Sequence, residues 1–220
     1  MKRLIELVLV AGVVFWGGVS AYGVPVTTLN VTPLDLSTAD LGSQIVAPLN
    51  TPFVMMFDDD YDGIPETLDL EGVLTTEVYW DADSQIATFV YGVSLIDGIG
   101  YLDCLHVSPF APADGVSYVD SGYDSSGSVI ATDILLTPVN NYVIDFRFPA
   151  WGFYAGMAPA AVWIQVALDG PPSLDIGLCD ITGYGGEEAF DAYVPVPEPA
   201  TMLLLVGSIG SVLALRKRRA

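Results

Sequence analysis

Gly72-Val73-Leu74-Thr75-Thr76-Glu77-Val78-Tyr79-Trp80, then Asp81-Ala82-Asp83-Ser84, then Gln85 through Ile96, is the stretch that decides the fold. The first run is rich in β-branched and aromatic residues, which suit a pleated, half-buried surface better than a helix. Two short Asp side chains and a Ser make the middle a turn, because these residues hydrogen-bond their own backbone. The third run holds Ile86, Phe89, Val90, Tyr91, Val93 and Leu95 and reads as a long strand. Together they predict an antiparallel hairpin.

Outward from this hairpin the same grammar repeats. Tyr101–Val107, Ser128–Leu136, Asn141–Phe148, Ala160–Leu168 and Leu174–Cys179 read as further strands. Pro109–Asp114, Thr137–Asn140 and Asp169–Pro172 separate them as turns. No long apolar stripe of period 3.6 interrupts the series, and no fixed-length repeat runs through it. Seven or eight short strands at this spacing predict an all-β body, a single antiparallel β-sandwich of jelly-roll type.

The two ends differ from the body. Lys2-Arg3, the apolar run Leu4–Gly18 and the small residues Val19–Gly23 have the three-part layout of a secretory signal peptide over 1–23. Residues 24–193 form the expected exported domain. Residues 194–220 contain Val196-Pro197-Glu198-Pro199-Ala200, an apolar segment Thr201–Leu215, and the cluster Arg216-Lys217-Arg218-Arg219. Basic residues resist translocation and mark the cytoplasmic side. Fifteen helical residues reach only about 22 Å, short of a ~30 Å hydrocarbon core, so the segment suits a transient stop better than a permanent anchor.

Between residues 24 and 199, Arg147 is the only basic residue and stands against 26 of the 27 acidic ones. One positive and 26 negative charges give −25, a body more acidic than the −20 of the whole chain. Such a surface excludes nucleic acid, whose phosphates need Lys and Arg to displace their counterions. It argues against anionic lipid and favours divalent cations.

One acidic run has a metal-binding pattern. Counting Asp58 as the first position, carboxylates fall at Asp58, Asp60, Asp62, Glu66 and Asp69, with Gly63 at the turn and the Ile64 carbonyl next to it. Alternating short carboxylates around a Gly can converge on one calcium ion. The run resembles the acidic loops of thrombospondin type 3 and dockerin-like repeats, which implies calcium as a ligand. Its shorter twelfth residue, Asp69, and its single occurrence depart from those families. The alternative is a solvated acidic turn.

Cys104 and Cys179 are an even pair in a chain expected to be exported, which favours a disulfide over two buried thiols. His106, the single histidine, reads as structural. Acidic neighbours such as Asp81 and Asp83, or Glu187 and Glu188, could be imagined as a hydrolase pair, but a body with 26 acidic residues offers such pairs by chance. The body holds Trp80, Trp151 and Trp163, and Trp151-Gly152-Phe153-Tyr154, in a Gly/Pro-rich stretch, reads first as core and second as a sugar-stacking platform.

Taken together, Pro197-Glu198-Pro199, the apolar segment and the basic end resemble the PEP-CTERM sorting signal. The resemblance covers about 25 residues and implies recognition of Pro197-Glu198-Pro199 by an exosortase, a membrane enzyme of Gram-negative bacteria that make exopolysaccharide. It implies transient anchoring in the membrane, removal of the tail, and release or attachment at the cell surface. The expected role is that of a structural or interaction protein without catalytic activity. A carbohydrate-binding module, assisted by calcium, is the alternative, and a secreted hydrolase ranks third.

Overall fold

A computed structural model describes residues 26–195, apart from 60–65, 109, 111–116, 128, 138–142, 150–152, 158 and 184–185. Among the described residues there is no helix, and thirteen strands form two sheets packed face to face. The strands are β1 (Thr27–Thr28), β2 (Thr32–Leu34), β3 (Ser43–Gln44), β4 (Leu49–Asp59), β5 (Glu66–Asp81), β6 (Ile86–Gly98) and β7 (Leu102–Ser108). After them come β8 (Ser117–Asp124), β9 (Asp133–Thr137), β10 (Val143–Arg147), β11 (Ala160–Ala167), β12 (Leu174–Gly183) and β13 (Gly186–Pro195).

One sheet has six strands in the order β1-β9-β10-β7-β12-β13. The other has the order β2-β8-β11-β6-β5-β3, with β4 also pairing β5. All pairs are antiparallel except β2 with β8. The all-β sandwich expectation holds, with more strands than expected and one parallel pair.

The opening hairpin forms as read. β5 and β6 pair from Leu70–Gly98 to Asp81–Ile86, with one irregularity between Glu71 and Gly72. Asp81 closes the turn by accepting the Asp83 amide and the Ser84 hydroxyl. Along β5 burial alternates strictly: Leu74, Thr76 and Val78 are buried while Thr75, Glu77 and Tyr79 are not fully so. That period-two pattern fixes which face meets the other sheet.

The core between the sheets takes Leu74, Val78, Phe89, Tyr91 and Val93 from one side. From the other it takes Leu105, Val107, Ile134, Ile144, Phe146, Cys179 and Ile181. Tyr91 buries its ring beside Phe146, with centroids 6.2 Å apart, and donates its hydroxyl to the Tyr193 carbonyl. Thr76 is fully buried, and its hydroxyl has no hydrogen-bond partner among the described residues.

The outer face of the seven-stranded sheet is partly covered by the segment from Asp35 to Gly42. Parallel pairing of β2 with β8 holds its start, and β3 on Tyr79 and Trp80 holds its end. Gly122 lets β2 come close, because a Cβ there would run into the Thr32 carbonyl. Gly42, at φ +84°, turns against the Trp80 carbonyl in a conformation that side chains rarely adopt. Leu41, Val90 and Trp163 form a small second core beneath this strap.

Candidate functional site

The outer face of the six-stranded sheet carries the densest group of ionisable side chains described. Register places them across neighbouring strands. Asp145 on β10 lies opposite His106 on β7, and His106 lies opposite Asp180 on β12. One rung along, Asp133, Arg147, Cys104 and Thr182 stand in line across β9, β10, β7 and β12. Cys104 and His106 share a face because they are two apart on one strand.

His106 Nδ1 is 2.7 Å from the Asp145 Oδ1 and 3.7 Å from the Cys104 Sγ. The hydrogen bond to Asp145, followed by that to Cys104, raises the imidazole to about 10 against the opposing effect of burial. His106 is therefore a cation at neutral pH. Asp180 is held above the ordinary carboxylate range, first by burial and then by repulsion from Glu187.

A Cys, a His and an Asp in contact resemble a nucleophilic triad in composition. The geometry does not. A triad uses one ring nitrogen for the nucleophile and the other for the carboxylate. Here both neighbours meet Nδ1, whose one proton goes to Asp145. Nothing at that nitrogen can take a proton from Cys104. The arrangement ties β7 to β10 through a partly exposed ion pair, and among the described residues no three of His, Cys, Asp and Glu gather to hold a metal ion.

The expected disulfide is corrected. Cys104 and Cys179 are free, buried thiols. Cys104 pairs across from Thr182, three positions from Cys179 on β12. Three residues of strand span about 10 Å, beyond the Cα separation a disulfide tolerates. An odd offset also sends the two side chains to opposite faces, Cys179 into the core and Cys104 toward His106. Burial raises the Cys179 thiol well above its ordinary value, which keeps it protonated and inert.

The acidic run sits at the end of the β4–β5 hairpin. The ladder continues through Asp58–Thr67 to Asp59–Glu66, so three of the proposed ligand positions, Asp58, Glu66 and Asp69, belong to paired strands. Asp60, Asp62, Gly63 and Ile64 lie outside the described residues. A loop of twelve residues is thus shortened to six between the last paired positions.

The residues offered as hydrolase pairs are consecutive or turn positions. Asp81 is lowered by the Ser84 hydroxyl and the Asp83 amide as a turn residue, and Glu187 and Glu188 are both exposed neighbours on β13. Trp163 is 2% exposed, and its indole N–H donates to the Tyr123 carbonyl. Trp80 packs against the main core. Neither stands on an open platform, and Trp151 lies outside the described residues.

The described residues end on β13. Val194 is buried, and Leu174 pairs with Pro195, two residues past the boundary expected at 193. From that point residues 195–219 match the family model of the PEP-CTERM protein-sorting motif. The chain carries a PEP-CTERM sorting signal. This motif marks an exported protein of a Gram-negative bacterium, sorted at the membrane and processed by an exosortase. Pro197, Glu198, Pro199 and Arg216–Arg219 fall inside the matched range but outside the described residues, as does the expected signal peptide 1–23. No curated protein and no solved structure matches the chain.

Neither Asp145 nor Asp180 was singled out from the sequence. Each is brought to His106 by a register between strands distant in the chain, which local pattern does not encode.

Proposed function

We propose that the body is a non-catalytic surface or matrix module of a bacterium that makes exopolysaccharide, displayed once an exosortase has acted on its tail. The observation that carries this reading is the match over 195–219 immediately after a completed sandwich. The site chemistry supports it: the one Cys–His–Asp group is wired through a single nitrogen and serves as a cross-strand tie. An excess of carboxylates keeps such modules apart in solution and favours contact with neutral or cationic partners.

Mass spectrometry of the protein from its native surface tests the display. Peptides ending near Pro197–Pro199, with none spanning Leu203–Leu215, are expected. An intact tail on the mature surface protein would refute processing.

A further inference from the structure

Beside the strap, on the outer face of the seven-stranded sheet, lies a cavity of about 290 Å³. Thr75, Gly92 and Ala161 form its floor, one rung across β5, β6 and β11. Leu36, Leu41 and Val90 give it apolar walls, and Glu77, Asp124 and Ser37 line its polar side. The volume lies near the lower end of small-ligand sites.

The hydrogen-bonding balance of this lining is one-sided. Tyr79 gives its hydroxyl proton to Glu77 Oε2 at 3.1 Å, Thr75 gives its own to Asn50, and Ser37 gives its own to Asp35. Asp124 accepts the amides of Leu36 and Ser126 and the Ser126 hydroxyl, and so pins the strap. What is left facing the cavity is acceptor capacity on the carboxylates and hydroxyl oxygens. No Lys, Arg or His lines it. An occupant must therefore bring donors and an apolar face, and it must not be an anion.

Gly92 is the second observation. It sits mid-strand, where a glycine weakens pairing and often marks close approach of a ligand or a backbone. Neighbouring atoms do not demand it. An added Cβ would meet only Thr75, at an ordinary 3.8 Å from its carbonyl oxygen. Its backbone is not in the left-handed region. The missing side chain keeps the floor open.

We propose that this cavity binds one neutral, polyhydroxylated sugar unit. Ring C–H groups would lie over Gly92, Ala161 and Val90, and hydroxyls would donate to Glu77 and to the oxygens of Thr75 and Ser37. A quaternary ammonium ion would also be drawn to the two carboxylates, but it brings no donors for the oxygens of Thr75 and Ser37. The proposal deepens the surface-module reading only in saying what is met at the surface. Binding is independent of tail processing, so either idea can fail alone.

The test uses the full chain in detergent micelles, titrated with glucose, galactose and mannose and followed by the amide signal of Gly92 and the ring signals of Tyr79. Glucuronate and tetramethylammonium serve as charged probes. At least one hexose is expected to shift these signals saturably, with glucuronate silent. Gly92→Val should abolish the shift without lowering the melting temperature. If that variant misfolds, Gly92→Ala, whose Cβ has room, should weaken the response in its place. Glu77→Gln should weaken binding about tenfold, the equivalent of one hydrogen bond. Silence to all three hexoses, equal binding of glucuronate, preference for tetramethylammonium, or binding unchanged by the variant at Gly92 would each overturn the proposal.

Discussion

The two outer faces of the sandwich solve the same problem in opposite ways. The seven-stranded sheet turns its outer face under a strap of its own chain and builds there a second small core around Trp163, Leu41 and Val90. The six-stranded sheet has no such strap on its outer face among the described residues and knits that face with polar cross-strand pairs, Asp145 to His106 above all. A covered face derives its stability from burial, which is insensitive to pH and grows with apolar area. An uncovered one relies on charge pairs, worth less and dependent on protonation. The cavity lies on the covered face because a strap over a sheet leaves a margin that a bare sheet lacks.

The largest expected effect comes from removing the second core. Trp163→Ala should lower unfolding free energy by about 3–5 kcal/mol in urea denaturation, through lost burial and a lost hydrogen bond to Tyr123. Leu178→Ala on the opposite outer face, where the side chain is 48% exposed, should change stability by no more than about 0.5 kcal/mol. Comparable losses from the two variants would erase the distinction between the faces.

The open face should respond to pH and the covered face should not. His106 is raised from 6.5 to about 10 on folding, chiefly by Asp145. A raised folded value means the contribution is complete below the unfolded value and is lost as pH rises through the folded one. Between pH 6.5 and about 10 the protein should lose stability progressively as His106 gives up its proton. His106→Gln should flatten that slope in denaturation curves taken across the window. A slope that survives the substitution would place the titrating group elsewhere.

Between the two faces, Thr76 holds a buried hydroxyl without a partner among the described residues. Thr76→Val keeps the shape and should raise stability by about 1 kcal/mol, read as a higher urea midpoint at unchanged slope. A loss would mean that the hydroxyl is satisfied in solution. Smallest of all is calcium at the hairpin end, for which we propose a dissociation constant on the order of 10⁻⁴ to 10⁻³ M. At a concentration equal to that constant the gain is about 0.4 kcal/mol. It should disappear in Asp60→Ala and leave the His106 titration untouched. No thermal shift with calcium would reduce the run to a solvated turn.

Much of the sandwich was legible locally. The alternation from Gly72 to Trp80, the Asp81 turn and the run to Ile96 named their own hairpin, because side-chain period and turn chemistry act within a few residues. β8 (Ser117–Asp124) escaped, since Ser, Asp and Gly within it read as loop and only its place between β2 and β11 makes it strand. The pair of cysteines misled for a related reason. An even count says nothing of register, and three rungs with opposite facing defeat a bond that composition favours. The cluster at His106 and the cavity beside the strap both depend on which strands become neighbours across dozens of residues. That information is spread over the whole chain.

The placement of β13 also sets a mechanical condition on processing. Its ladder runs to Pro195, and only Val196 separates that residue from Pro197. Fully stretched, the backbone from Pro195 to Pro197 covers about 7 Å. A protease reaching for Pro197-Glu198-Pro199 would therefore have almost no slack to draw on between that tripeptide and the last rung of the sandwich. Because β13 is the last strand of its sheet, tension on the tail would peel it rung by rung from Leu174 onward. Fraying of the first few rungs would lengthen the reach of the tripeptide, so a stronger β12–β13 seam is expected to slow processing.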